Sequence, residues 1–290
     1  MQKKNKVVPV RGFLLHISHY DPKWCRVKSK EKCFDLETGL EIVDALAEAG
    51  MNMLIIDCSD GVTYRSHPEF KRRYSVPMSH LKELVDYANK KHIEVVPKLN
   101  FSQSHYYKHN HWMRPHNRLF DNEKYWDIGF EVIDELIDVC RPKRFFHVGM
   151  DEDHERAHTQ YVAAIKMLHT GLKKRGLRTV IWNDSTRILR KATVVHGEKS
   201  IAAENKIPKD IVQIPWEYYG VFPDIIKRIV NKGFETWIAS SNNIEQVQEW
   251  KGIIKKYGGN GMIMTRWIHC DKSNRPELLS LIRNVGPHFL

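Results

Sequence analysis

The sequence lacks the marks of several protein classes. No apolar run in its 290 residues approaches the roughly 20 that a membrane-crossing helix needs. Cysteine is scarce: Cys25, Cys33, Cys58, Cys140 and Cys270 form an odd set with no C-x-x-C pair, which excludes a disulfide scaffold and a thiolate zinc site. Cys58 and Cys140 lie in apolar segments and read as buried thiols, whereas Cys25 and Cys33 share a loop and would pair only in an oxidising compartment. The set favours a reducing, cytoplasmic location. The charged start, Met1 to Lys6, is not followed by a signal-peptide core, since Arg11 interrupts the apolar stretch from Val7 to Ile17. No glycine-rich turn follows the first strand-like segment, which argues against a dinucleotide-binding open sheet. Low-complexity tracts, internal repeats and an interdomain linker are also missing.

What remains is ordinary globular composition, 42% hydrophobic and 28% charged, with a net charge of +11. That charge raises the question of nucleic acid. The basic residues are dispersed, however, as in Lys28-Lys30, Lys71-Arg73, Lys90-Lys91, Lys173-Arg175 and Lys255-Lys256. Several fall in the last turns of predicted helices, where cations suit the helix dipole. With no continuous basic stripe, neither a nucleic-acid nor a membrane partner is expected.

Strand-like and helix-like segments alternate from end to end. Strands are predicted at Gly12–Ser18, Met53–Cys58, Ile93–Leu99, Phe145–Met150, Arg178–Trp182, Ile211–Trp216, Thr236–Ser240 and Gly261–Trp267. Helical spacing is predicted at Leu36–Gly50, Leu81–His92 (with Ser79 as its cap), Trp126–Cys140, His158–Arg175, Phe222–Lys232, Ile244–Tyr257 and Pro276–Asn284. Eight short buried strands alternating with helices at this length point to an α/β fold, a (β/α)8 TIM barrel occupying residues 1–290 as one domain. The longest irregular stretches, 21–35, 61–78 and 100–124, each follow a strand and precede its helix. In a barrel they lie on the catalytic face.

Polar and aromatic residues gather where strands end: His16, His19 and Tyr20; Asp57, Ser59 and Asp60; Asn100 and His105; Asp151 and Glu152; Trp182, Asn183 and Asp184; Trp216, Glu217, Tyr218 and Tyr219; Arg266, Trp267 and His269, with Trp237 inside the seventh strand. Aromatic walls with carboxylates, amides and arginine suit a sugar, whose faces stack on rings and whose hydroxyls are read by planar polar groups. Asp151 and Glu152 are the centre of the pattern. Adjacent side chains at a strand end diverge, so the two carboxylates can divide proton transfer and charge stabilisation around one ligand. Taken alone, an acidic run from Asp151 to Glu155 also fits a solvated helix start.

The run His147-Val148-Gly149-Met150-Asp151-Glu152 matches an H-x-G-x-D-E strand end, and in this the chain resembles the catalytic domain of glycoside hydrolase family 20, the β-N-acetylhexosaminidases. Weaker matches follow in order: Arg11-Gly12 opening the first strand, NMLIIDCSD from Asn52 to Asp60, Tyr87-Ala88 with Ile93, Val95 and Pro97, and the segment Gly261 to Trp267. The resemblance implies hydrolysis of terminal β-linked N-acetylhexosamine (GlcNAc or GalNAc) by substrate-assisted retention, without metal or cofactor. It implies Glu152 as acid and base, and Asp151 as the group that orients the acetamide and stabilises an oxazolinium ion. Arg11 would grip ring hydroxyls. Asp60 would tune Glu152 through a histidine after the third strand, His105. Asn100, Trp182, Asp184, Trp216, Tyr218, Trp237 and Trp267 complete the expected substrate site, with Tyr218 or Tyr219 as the acetamide-binding tyrosine. The chain departs from the pattern at His16, where the family has Asp, and at Lys98 and Asn100, where it has acids; His105 is one residue out of register. The barrel domain that it matches is commonly preceded by another domain, for which this chain shows no counterpart.

Two other readings compete. His105, His109, His111 and His116 crowd one loop and, with carboxylates, are the ligand types of a metal-dependent hydrolase. A non-catalytic carbohydrate-binding barrel would keep the tryptophans and Arg11 but would not need Glu152.

Overall fold

A computed structural model describes residues 7–19, 27–104, 109–189 and 194–290. His105, Tyr20 and Cys25 lie outside the described residues. The chain forms a closed barrel of eight parallel strands: β1 (Val10–His16), β2 (Met53–Asp57), β3 (Glu94–Lys98), β4 (Phe145–His147), β5 (Arg178–Asn183), β6 (Val212–Glu217), β7 (Trp237–Ser240) and β8 (Gly261–His269). Each strand pairs with the next in sequence, and β8 closes on β1. Among the described residues eight α-helices follow the strands: α1 (Leu36–Glu48), α2 (Met78–Lys90), α3 (Glu123–Cys140), α4 (His158–Lys174), α5 (Val194–Glu204), α6 (Pro223–Asn231), α7 (Ile244–Tyr257) and α8 (Arg275–Val285). Among the described residues no helix is long and apolar enough to cross a membrane.

Local chemistry sets the helix ends. The Asp35 carboxylate accepts the Thr38 N–H at 2.9 Å to start α1, Asn122 accepts from Tyr125 to start α3, and Asn243 from Gln246 to start α7. Gly258 stops α7 in the left-handed conformation, at φ 82°. Ser79 is not a cap: α2 begins earlier, at Met78, directly after Pro77. The helix α5 has no counterpart in the sequence prediction. Its buried face carries His196, Lys199 and Ser200, so no apolar period marks it.

Two hydrophobic cores follow from strand alternation. Leu14, Ile55, Val96, Phe145, Val180 and Ile214 fill the barrel interior, and their neighbours in sequence face the helices. Parity therefore decides which strand residues reach the inside. At the carboxyl ends the inward positions turn polar: His16 lies opposite Asp57, Asp57 opposite Lys98, and Lys98 opposite His147. The strand β4 is shorter than the predicted Phe145–Met150, because Gly149 and Met150 take φ values of 72° and 76°. The loop after β2 folds back through a two-stranded pairing of Val62–Thr63 with Val76–Pro77.

Candidate active site

The innermost layer is a buried polar quartet. Lys98 Nζ donates to Asp57 Oδ2 at 2.6 Å, His16 Nδ1 lies 3.3 Å from the same oxygen, and Ser59 Oγ donates to Asp57 Oδ1 at 2.8 Å. All of the Asp57, Lys98 and His16 side chains are fully buried. Burial alone would push the Asp57 carboxyl up, but Lys98 and His16 outweigh it and hold the group well below the usual carboxylate range. The His16 imidazole is pushed down, chiefly by burial. His147 is held well below its ordinary value by burial and by Lys98, and its Nδ1 accepts the Gly149 N–H at 3.0 Å. A neutral ring that accepts at Nδ1 carries its proton on Nε2. Thus the departures at His16 and Lys98 are complementary, since both are partners of one carboxylate.

Above this layer β4 gives way to a turn that few residues can make. A Cβ on Gly149 would fall 2.2 Å from Asn100 Oδ1 and 2.8 Å from Asn100 Cα. Glycine lets the two segments touch and supplies the positive φ. Asn100 then fastens the turn: its Oδ1 accepts the Ser102 N–H at 3.0 Å and the Met150 N–H at 3.3 Å, and its Nδ2 donates to Asp151 Oδ1 at 2.7 Å. Where two acids would repel, an amide donates to the carboxylate, through Asp151 Oδ1 alone.

Glu152 follows with φ 50° and is partly exposed. Its backbone N–H donates to Asp184 Oδ2 at 2.7 Å, and Asp184 Oδ1 accepts the Trp216 indole N–H at 2.8 Å. Burial, and after it the neighbouring Asp151 and Glu152, push the Asp184 carboxyl well up. The histidine beside the pair is His109, whose Nε2 lies 3.6 Å from Glu152 Oε2 and 3.8 Å from Asp151 Oδ2. Burial disfavours its charged form, but the two carboxylates prevail and raise its pKa. The expected histidine, His105, is outside the described residues, and sequence reading noted His109 only as part of a histidine-rich loop. Its place depends on how that loop folds, which no local pattern reveals.

An aromatic wall completes the site. Trp182 lies buried in the barrel with its ring centroid 4.7 Å from His147 and 6.2 Å from Trp267. Trp267 also lies 5.1 Å from His16, and its indole N–H donates to Tyr218 OH at 2.9 Å. Trp216 stands 5.6 Å from the Tyr218 ring. Tyr218 feels the charges of both Asp151 and Glu152, and burial first, then those carboxylates, push its phenol up. Tyr219, by contrast, is 73% exposed.

Two predicted residues are placed differently. Arg11 is the second residue of β1, at the strand-entry end, in register with outward-facing Met262. Its guanidinium donates to Gly50 O at 2.8 Å and Val8 O at 2.6 Å, so it ties the bottom of the barrel and does not join the site. Trp237 opens β7 and points into the barrel at that same end, edge-on to Phe145 at 5.1 Å with its N–H on Glu235. Asp60 is buried after β2, with Tyr74 OH donating at 2.7 Å and Arg72 Nε at 3.3 Å. The acidic run after Glu152 is no solvated helix start. Asp153 is buried against Arg156, which also pairs with Asp121, and Lys199 donates to the Asp153 and Arg156 carbonyls at 2.6 Å each.

The fold and site define a (β/α)8 barrel with a carboxylate pair at the end of its fourth strand. No family model and no curated protein matches the sequence. The structure is similar to that of Dispersin B, with a TM-score of 0.61 and 17% identity over 96% of this chain and 98% of that one. It is also similar to the N-acetyl-β-hexosaminidase of Streptomyces plicatus solved with Thio-NAglucal, with a TM-score of 0.69 and 14% identity over 96% of this chain and 63% of that one. The family 20 β-N-acetylhexosaminidase of Streptomyces coelicolor gives a TM-score of 0.66 and 15% identity, over 97% of this chain and 63% of that one. The chain therefore spans less than two thirds of these Streptomyces enzymes and nearly all of Dispersin B. At such identities the likeness establishes the shared barrel fold.

Proposed function

We propose that the protein is a glycoside hydrolase that removes terminal β-linked N-acetylhexosamine by substrate-assisted retaining catalysis. The observation that carries this reading is Asp151 fixed by Asn100 at 2.7 Å directly beside Glu152, which is only partly buried. One carboxylate is pre-oriented by a donor and the next in sequence is free to exchange a proton. The neighbours support it: besides the Streptomyces plicatus enzyme, an exo-β-N-acetylglucosaminidase of Vibrio harveyi was solved with N-acetylglucosamine.

In the first step the Glu152 carboxyl gives its proton to the glycosidic oxygen as the bond to the anomeric carbon breaks. The acetamide oxygen of the same sugar attacks that carbon from the opposite face, and the developing oxazolinium charge rests on Asp151, which accepts the acetamide N–H. Because the Trp267 N–H already donates to the Tyr218 oxygen, the phenol proton is left to donate to the acetamide oxygen and orient it. Glu152, now a carboxylate, takes a proton from water as it opens the ring on the original face. Trp216 and Trp267, both partly exposed, supply the apolar walls, and Trp182 lies buried 6.2 Å from Trp267.

A second reading has one observation in its favour. Ligand atoms of His109, Asp151 and Glu152 lie within 4.8 Å of one another, a set that could bind a divalent ion. Product stereochemistry tests the first reading. Proton NMR of the initial product should show the β-anomer, followed by slow mutarotation. An α-anomer as first product would rule out the double displacement.

A further inference from the structure

Asp184 stands between two parts of the site that the proposed chemistry treats separately. We infer that it is a positioning residue that couples the Trp216 ring to the acid/base Glu152, each held by one oxygen of the same carboxyl group. This rests on the reading of Glu152 as the proton donor.

The geometry makes the coupling specific. A non-glycine residue at φ 50° persists only where its surroundings hold it there. Here the hold on Glu152 is the 2.7 Å bond from its N–H to Asp184 Oδ2. The other oxygen takes the Trp216 indole N–H at 2.8 Å, which fixes the edge of a ring whose face carries the Arg187 guanidinium at 4.5 Å. Asp184 is itself anchored, since its N–H donates to Ser200 Oγ at 3.0 Å on α5. It is 2% exposed, so its place is behind the site, not against the sugar.

The residue type follows from the same bonds. Two N–H donors approach the two oxygens of one short fork. Asparagine offers only one oxygen, so it must present its amide N–H₂ to one of the two donors. A third acid beside Asp151 and Glu152 is electrostatically costly, and burial and those neighbours raise its pKa. A carboxyl at this place is retained against that cost because it alone satisfies both donors. Sugar pressing on Trp216 is thereby tied through one rigid group to the backbone that aims the acid.

The experiment compares Asp184→Asn, Trp216→Phe and Glu152→Gln with the parent protein, using N-acetyl-β-glucosaminides of good and poor leaving groups. A second readout is the Trp216 indole N–H resonance in a ¹H–¹⁵N spectrum, assigned by its loss in Trp216→Phe. Asp184→Asn should move that resonance and lower kcat/KM about tenfold more on the poor leaving group than on the activated one, the scale of one lost hydrogen bond. Trp216→Phe, which removes the donor and narrows the ring but leaves the Asp184 bond to the Glu152 N–H, should show a smaller loss in the same sense, in kcat as well as KM. If Asp184→Asn keeps the parent's leaving-group ratio while Glu152→Gln changes it, the coupling is wrong and the reading of Glu152 stands. If Glu152→Gln itself shows no leaving-group dependence, the proton-donor reading fails and the inference with it. Should Asp184→Asn not fold, Trp216→Phe with an unchanged kcat ratio overturns the inference by itself.

Discussion

Lys98 Nζ and Asp57 Oδ2 meet at 2.6 Å in the fully buried end of the barrel, so two opposite charges from adjacent strands form one neutralised unit. The pair predicts a large asymmetry between variants. Lys98→Met leaves the Asp57 charge buried without its main partner and should cost about 3–5 kcal/mol. Replacing both, as Lys98→Met with Asp57→Leu, should recover much of that loss. Urea unfolding of the three variants measures it, and a double variant no more stable than Lys98→Met would contradict the pairing.

Gly149 and Asn100 make a second test, because the turn has no room for a side chain. Gly149→Ala places a methyl group 2.2 Å from Asn100 Oδ1 at φ 72°, and the backbone strain alone is worth about 1–3 kcal/mol. Activity should fall further than stability, since the displaced Asn100 no longer orients Asp151. Thermal unfolding and turnover measured on the same sample would show whether the two losses separate.

The carboxylate pair should divide its work by leaving group. Glu152→Gln should lose activity on poor leaving groups by about 10²–10⁴-fold, the usual scale of general acid catalysis, and much less on activated aryl glycosides. Asp151→Asn should slow both alike, since it acts on the charged intermediate. Equal losses on both substrates in Glu152→Gln would remove it from the acid role.

Stability should fall as the pH is lowered below about 6.5, the ordinary histidine value. Burial depresses His147 and His16 in the folded state, and His196 is pushed down to about 4 by burial and by His154. In that window the unfolded chain binds more protons than the folded one, so acid favours unfolding. His109 is raised, so the stability it confers is complete below about 6.5 and is lost only as the pH rises through its folded value. Chemical denaturation at pH 7 and 5 should therefore show the drop, reduced in His147→Asn. A flat profile would mean that these rings are hydrated.

The barrel was legible because strand and helix periods alternate plainly, and most predicted strands are within two residues of those observed. The helix α5 escaped because its buried face is polar. At the site, Asp151, Glu152, Trp216, Tyr218 and Trp267 were readable as strand-end residues, and the structure brings them together. Arg11 and Trp237 were not at the site because residue type does not report which end of a strand a side chain occupies: both lie within the first two residues of their strands. The exchange among His16, Asp57 and Lys98 needed three adjacent strands in register. His109 needed the fold of a long loop, which carries no period.

The most direct measurement is hydrolysis of an aryl N-acetyl-β-glucosaminide, with a thiazoline mimic of the oxazolinium ion in one arm and EDTA in another. Turnover that the thiazoline blocks and EDTA leaves unchanged is the predicted result. Turnover abolished by EDTA and restored by zinc would contradict the account and make His109, Asp151 and Glu152 ligands of a metal.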